Sequence, residues 1–486
     1  MLFNSLQFLF FFTIVVAIYF ALPYRFRWIL LLCASYYFYM SWKPTYVILI
    51  IMTTLITYSA GIRMGKITAK SKRKIILTLS LFFNLGLLFV FKYYNFFNDS
   101  LRVIFQHYNL FYGSPALNVL LPIGISFYIF KNLSYAIDVY RGGQSPEKHL
   151  GHYAVYVAFF PQLLAGPIER STRFLPQLYR RFDFDYSRVT NGLKMMLWGL
   201  FQKMVLADNL APLVDSVYND PTHYQGIGLI LGTLFFAFQI YCDFAGYSDM
   251  AIGAAQVMGF TTMDNFDRPY FSKSIPEFWR RWHISLSTWF RDYLYIPMGG
   301  NRVSIPRWYF NLFIVLLICG LWHGANWTFI VWGGLHGIYL VFSAFTQKMR
   351  EKIRKAIGLE RVPKLHHYFK GMVTFFLVCF AWIFFRANSI SDAIYILSHL
   401  FTGWEGLGIQ ALKATPFFGP LKFHLVVGIV SVGMLLLIHL LQGDNHFDQW
   451  LSKKRVGLRW AVYYSMILAI LLCGHFGSKE FIYFQF

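Results

Sequence analysis

Histidine carries the side chain whose ordinary pKa lets it exchange a proton near neutrality, and the chain has fourteen of them. Three stand in apolar, aromatic surroundings. His323 lies in CGLWHGANW, between two apolar runs. Gly320 and Gly324 flank it and suit close backbone approach at a helix break, and Asn326 follows with an amide able to hydrogen-bond nearby. His283 lies in RRWHIS and His336 in GGLHG. Desolvation disfavours the imidazolium form, so a buried His323 is expected to stay neutral near pH 7 and to accept a proton as a general base. Most remaining histidines, among them His107, His149, His223 and His446, fall in or near polar connections, and His399, His424 and His439 lack a companion motif.

A second group of residues suits binding. The segment Asn265–Trp308 interleaves arginines with aromatic residues. Trp282, Leu286, Trp289 and Tyr293 recur at i, i+4, i+7 and i+11, one face of a helix, while Arg280, Arg281 and Arg291 supply charge on or near another. This spacing predicts an amphipathic helix held at the cytoplasmic surface. A basic, aromatic surface of that kind also suits a phosphate-rich donor such as an acyl-coenzyme A. Other chemistries lose their usual support: the chain carries no GxSxG elbow, P-loop, GxGxxG after a strand, HExxH or HxxxxD. The five cysteines (Cys33, Cys242, Cys319, Cys379, Cys473) lie in apolar segments without CxxC spacing, so neither a disulfide framework nor a metal site is expected.

The elements that position these residues belong in a membrane. Of 486 residues, 57% are hydrophobic, 20% aromatic and only 14% charged, with a mean hydropathy of +0.47. The apolar content excludes a disordered chain, and the shortage of charge excludes an ordinary water-facing surface. Apolar runs near the length of a membrane-spanning helix recur from end to end, enough for about eleven or twelve spans plus re-entrant pieces in an all-α, polytopic protein. The first run, Ser5–Leu22, has no basic segment before it and no cleavage site of small residues, which reads as a retained helix.

Lysine and arginine (44) outnumber aspartate and glutamate (22), for a formal charge of +22. Because the basic residues sit between spans, the positive-inside rule accounts for them before nucleic acid does. Placing the Arg63–Lys74, Lys348–Lys355 and Lys453–Arg455 clusters in the cytoplasm puts the N-terminus outside. The same frame puts the acidic Asp208–Gly226 connection and the tail Gly474–Phe486 outside. Two stretches interrupt the apolar runs: PIGISFYIFKNLSYAIDVYR, with Lys131, Asn132 and Asp138, and AFFPQLLAGPIERSTRF, with Pro161 and Pro167 around Gln162. Both read as broken helices lining a cavity, where intramembrane polar groups are tolerated. No two-fold repeat of broken helices points to a secondary transporter.

Taken together, PIGISFYIFKNLSYAIDVYRG, FFPQLLAGPIER, QIYCDFAGYSDMAIG, FWRRWHISLSTWFRDYLYIPMGGNR, GLWHGANWTFIVWGGLHG and WIFFRA resemble the membrane-bound O-acyltransferases. The likeness is to the bacterial branch that modifies alginate, peptidoglycan and teichoic acids. The resemblance implies one membrane-embedded domain over 1–486: N-terminal helices in 1–115, the motif core in 116–390 and C-terminal helices in 391–486, around an intramembrane tunnel. It implies that His323 is the catalytic histidine and His283 its partner in the second motif. FIYFQF at the chain end resembles the aromatic C-terminal motif of these systems, which implies that Tyr483 receives the acyl group as an ester.

On that reading no cofactor is bound. Acetyl-coenzyme A is the expected donor, with Arg280, Arg281 and Arg291 near its phosphates. His283 or Asn326 would donate to the oxyanion, and the acceptor would be an extracytoplasmic polysaccharide reached through a secreted SGNH-type partner. The expected setting is the bacterial inner membrane with its lipids. D-alanyl transfer from a carrier protein, and transport of polysaccharide precursors, are the alternatives.

Overall fold

The computed structural model describes all residues except 165, 359–361, 404–415, 444–445, 477–480 and 483–486. Among the described residues every regular element is helical. A bilayer core offers no water to backbone N–H and C=O groups, so a spanning segment must satisfy them within itself. Among the described residues eight helices are long and apolar enough to cross a membrane, and Leu6–Ala21 is a shorter apolar helix. The count falls below the sequence expectation because several apolar runs fold as shorter or interrupted pieces. The run near Trp28–Trp42 becomes the 17-residue helix Tyr24–Met40. The run near Tyr153–Ala165 breaks after Ala158 and resumes as the short helix Phe160–Leu163, with Pro161 in its first turn.

Contacts divide the chain into two units, residues 1–193 with 251–263 and residues 194–250 with 264–486. In the first, the helix Ile125–Arg141 packs against Val47–Lys66 and Lys70–Leu88. Contrary to the sequence reading it is continuous. Its Pro and Gly residues precede it, Gly124 takes the left-handed conformation at its start, and Gly142 does so at its end. The buried Lys131 needs no cavity: its ammonium donates to the Tyr156 carbonyl at 3.1 Å and to Gln162 Oε1 at 3.3 Å. The Pro161 stretch, by contrast, is interrupted as its prolines require. The basic turn before Lys74 meets the end of Ile125–Arg141, where Arg73 donates to the carbonyls of Val139 and Tyr140, both at 2.9 Å. A cation on the C-terminal carbonyls of a helix is the favourable sense of its dipole.

In the second unit, Ile305–His323 and Trp327–Phe345 form a tight helical hairpin. Pro306 opens the first helix, where its missing N–H costs nothing. Asn326 caps the second by accepting the Thr328 N–H at 3.0 Å. Two glycines set the crossing: a Cβ on Gly320 would lie 2.3 Å from the Phe329 carbonyl oxygen, and one on Gly333 2.4 Å from that of Leu316. Backbone contact of this closeness needs small residues. Changing Gly333 to Ala forces the backbones apart, so it is expected to cost about 1–3 kcal/mol. Gly457→Ala, with nothing near its Cβ, is expected to leave stability nearly unchanged. Thermal unfolding of the two purified variants in the same detergent checks the contrast.

Candidate active site

The hairpin ends in His323, the last residue of its first helix and only 3% exposed. Its ring lies among aromatic edges and faces: Trp322 at 4.8 Å, Trp332 at 5.0 Å and Phe385 at 5.3 Å between centroids. Trp382, on the neighbouring helix Pro363–Arg386, stacks on Trp332 at 5.7 Å. The glycine crossing therefore does more than join two helices, since it brings Trp332 of the second helix against the histidine that ends the first.

His283 reaches the same place by a strained route. The predicted amphipathic helix is in fact two short ones, Ile275–Arg281 and Ile284–Phe290, broken where His283 adopts φ 41°. A left-handed conformation costs a non-glycine residue of order 1–3 kcal/mol, and its neighbours maintain it. The Ile284 N–H donates to the Asn265 carbonyl, and the Asp267 N–H to the Arg281 carbonyl, both at 2.9 Å. Trp282 and Leu286 are fully buried. The break explains why: they point into the protein and not along one interfacial stripe.

Asn265 also decides the state of the His283 ring. Its Oδ1 accepts from the Ser285 backbone N–H at 3.3 Å and from Ser285 Oγ at 2.9 Å, and faces His283 Nδ1 at 3.0 Å. A backbone N–H can only donate, which identifies that amide atom as the oxygen. His283 Nδ1 must then carry the hydrogen. Burial pushes the imidazole down to about 3, so the ring is neutral and its Nε2 offers a lone pair. A neutral ring in this tautomer presents an acceptor at Nε2. Asn326 has its amide engaged in the turn, its oxygen on the Thr328 N–H and its nitrogen 3.4 Å from the Asn388 carbonyl.

The two rings, His283 and His323, stand 6.5 Å apart between centroids. That contact also fixes how the segment runs. Ile305 and His323 lie at opposite ends of a 19-residue helix, about 28 Å apart at 1.5 Å per residue. A segment touching His323 cannot lie flat at the face where Ile305 starts, so residues 265–290 dip inward. His336, the third histidine, is buried one turn beyond Trp332, with Trp332 at 5.0 Å and Trp279 at 5.1 Å. The arginines stay outside this aromatic box. Arg280 is exposed, Arg281 pairs with Glu277 at 2.9 Å, and Arg291 pairs with Asp292 at 2.8 Å.

On its other side His283 meets the long helix Ile227–Val257 through Phe244, at 4.6 Å. A cavity of about 250 Å³ opens beside this helix, lined by Tyr241, Asp249, Phe266, Arg268, Ile284 and His439 among others. Phe266 stacks on the His283 ring at 6.4 Å. From the chain end, Phe481 is buried against the same helix, 5.4 Å from Phe244 and 4.6 Å from Tyr247. Tyr483 lies outside the described residues.

Residues 144–385 match the model of the membrane-bound O-acyltransferase family. Over the full length of both chains the sequence is 35% identical to the probable alginate O-acetylase AlgI of Azotobacter vinelandii. It is 30% identical to the peptidoglycan O-acetyltransferase of Helicobacter pylori, over 94% of this chain and 91% of that one. The chain belongs to the membrane-bound O-acyltransferase family. It is therefore a multi-pass membrane O-acyltransferase. A further relative, the teichoic acid D-alanyltransferase of Bacillus subtilis, is 27% identical over 56% of this chain and 71% of that one.

Within this O-acyltransferase, the motif histidines were legible in sequence, whereas the residue that orients one of them was not. Asn265 is 18 positions before His283, and only its place at the head of the NFDRPYF stretch hinted at a role. Asp208 is a correction: read as part of an acidic outside connection, it is buried in the helix Asp208–Tyr218 and paired with Lys203 at 2.9 Å. Replacing Asn265 with Ala frees the His283 ring, and acyl transfer is expected to fall about 10²-fold, the order produced by misplacing a reacting group by an ångström. Asn265→Asp keeps an accepting oxygen and should retain more activity. Initial rates of ester formation by both purified variants in lipid vesicles test this.

Proposed function

We propose that the protein moves an acetyl group from a cytoplasmic thioester, acetyl-coenzyme A, to an extracytoplasmic polysaccharide, with Tyr483 as an intermediate carrier. The observation that carries this reading is the buried pair His323 and His283, 6.5 Å apart in a chain of this family. The relatives named as O-acetylases and O-acetyltransferases match over most of their length and support acetyl as the group transferred. The relative named for D-alanyl transfer matches a smaller share of the chain.

His323 acts as the base. Its neutral ring takes the proton from the phenolic hydroxyl as that oxygen attacks the thioester carbonyl carbon. The carbon–sulfur bond then breaks, and the imidazolium returns the proton to the departing thiolate. The products are an acyl ester and a free thiol. General-base assistance of this kind is worth about 10²–10⁴-fold. His283, its Nδ1 tied to Asn265, turns an accepting nitrogen on the box and steadies the imidazolium while it exists.

The donor's path is the 250 Å³ cavity. We take its mouth to face the cytoplasm, a reading supported by the Lys453–Arg455 cluster that follows the lining residue Asp448 by five positions. Three carboxylates, Asp264, Asp267 and Asp448, line it beside Arg268. They repel phosphates, so the acyl arm enters while the nucleotide end stays at the exposed Arg280 and Arg291 outside. In the second step a polysaccharide hydroxyl, held by a secreted SGNH-type partner, attacks the tyrosine ester, and the phenol regains a proton.

His323→Ala is expected to abolish ester groups on the surface polysaccharide at unchanged protein level; normal ester content in that variant would sink the assignment. Tyr483→Phe should block the relay, and mass spectrometry of protein incubated with acetyl-coenzyme A but no acceptor should find a 42 Da adduct on residue 483. Undiminished transfer by the Phe variant rejects the carrier.

A further inference from the structure

Halfway along the helix Ile227–Val257, Asp243 is 2% exposed. One carboxylate oxygen pairs with the ammonium of Lys203, which pairs also with Asp208 at 2.9 Å. The other, Oδ2, accepts the backbone N–H of Ile482 at 2.7 Å. Lys203 and Asp208 are five residues apart, a spacing that points to different faces of an α-helix. Residues Gln202–Ala207 instead form a π turn, and the wider winding, with bonds from i to i+5, turns both side chains to one spot. π turns of this kind recur at functional sites.

The cluster has a use for a donor. Two carboxylates face the Lys203 ammonium, and a buried charge demands hydrogen bonds. The Ile482 N–H supplies one. Phe481 next to it fills a fully buried place between Tyr247 and Phe244, and Phe244 is the ring that covers His283 at 4.6 Å. An aromatic anchor would keep its rings at headgroup level, whereas this segment is held inside the helical body, one ring away from the histidine pair.

We propose that Lys203, Asp208 and Asp243 form a docking clamp for the chain end at Phe481 and Ile482, with Asp243 as the residue that positions it one ring away from the histidines. The role deepens the acyl-carrier reading of Tyr483 and rests on it. The carboxylate reads the main chain at position 482, so a side chain that fills the same buried place is tolerated there but loss of the N–H is not. A hold through a hydrogen bond and an aromatic seat is one that can be released, as a carrier must be when it hands its ester onward.

The test uses the full chain in detergent. Ile482→Pro removes the N–H and leaves the ion cluster untouched; Ile482→Val keeps it. Hydrogen exchange of the peptide after Cys473, read by mass spectrometry, should be slow in the parent and in the Val variant. In the Pro variant it should be at least tenfold faster, with ester formation down at least tenfold and exchange in Ile227–Val257 unchanged. Asp243→Asn, which keeps an accepting oxygen without the charge, should fall between. Equal tail exchange in the Pro variant and the parent overturns the clamp, as does full ester formation with the tail released. A Tyr483→Phe variant that stays active with a protected tail rejects the carrier while upholding the docking.

Discussion

The hydrogen bond from His283 Nδ1 to Asn265 Oδ1 is the contact on which the arrangement of the site turns. It holds a histidine in a backbone conformation that histidine does not favour and breaks a helix at that point. It also fixes which nitrogen carries the proton. Without the break, Trp282 and Leu286 would follow one helical stripe at a membrane surface. With it, they bury themselves and His283 faces His323. The cost of the left-handed residue is met by Asn265, which ties the ring, the Ser285 N–H and the Ser285 hydroxyl to a single amide oxygen.

The surroundings of the pair are nearly all aromatic. Tryptophan and phenylalanine rings pack around His323 and keep it 3% exposed. Their stacking also locks the ring's position, with Trp332 wedged between His323 and Trp382. This wedge depends on a crossing so close that two glycines are required, and so a backbone constraint helps determine where the imidazole sits.

Inside a bilayer every polar group must find a protein partner, and the buried charges of this chain obey that demand in different ways. Lys131 is satisfied by a carbonyl and an amide oxygen. Lys203 faces two carboxylates, and one of them, Asp243, also accepts the Ile482 N–H. Structural ion pairs in membranes usually close on themselves; this one also meets the backbone of the chain end.

Composition and motif alone determined the class of this protein. Charge poverty required a membrane, the spacing of apolar runs required helices, and the RRWHIS and LWHGA motifs singled out the two histidines that the fold places together. These properties are local: each can be judged within a window of one helix. What only the tertiary structure decided is non-local. The aromatic spacing after Arg281 fits one helix as well as two, and the break comes from a bond to a residue 18 positions earlier. Asp208 looks like a loop acid until a π turn rotates it toward Lys203, and Asp243 sits in an unremarkable helical stretch until residue 482 reaches it from 239 positions away. Partners of that kind are chosen by packing, and no local pattern encodes them.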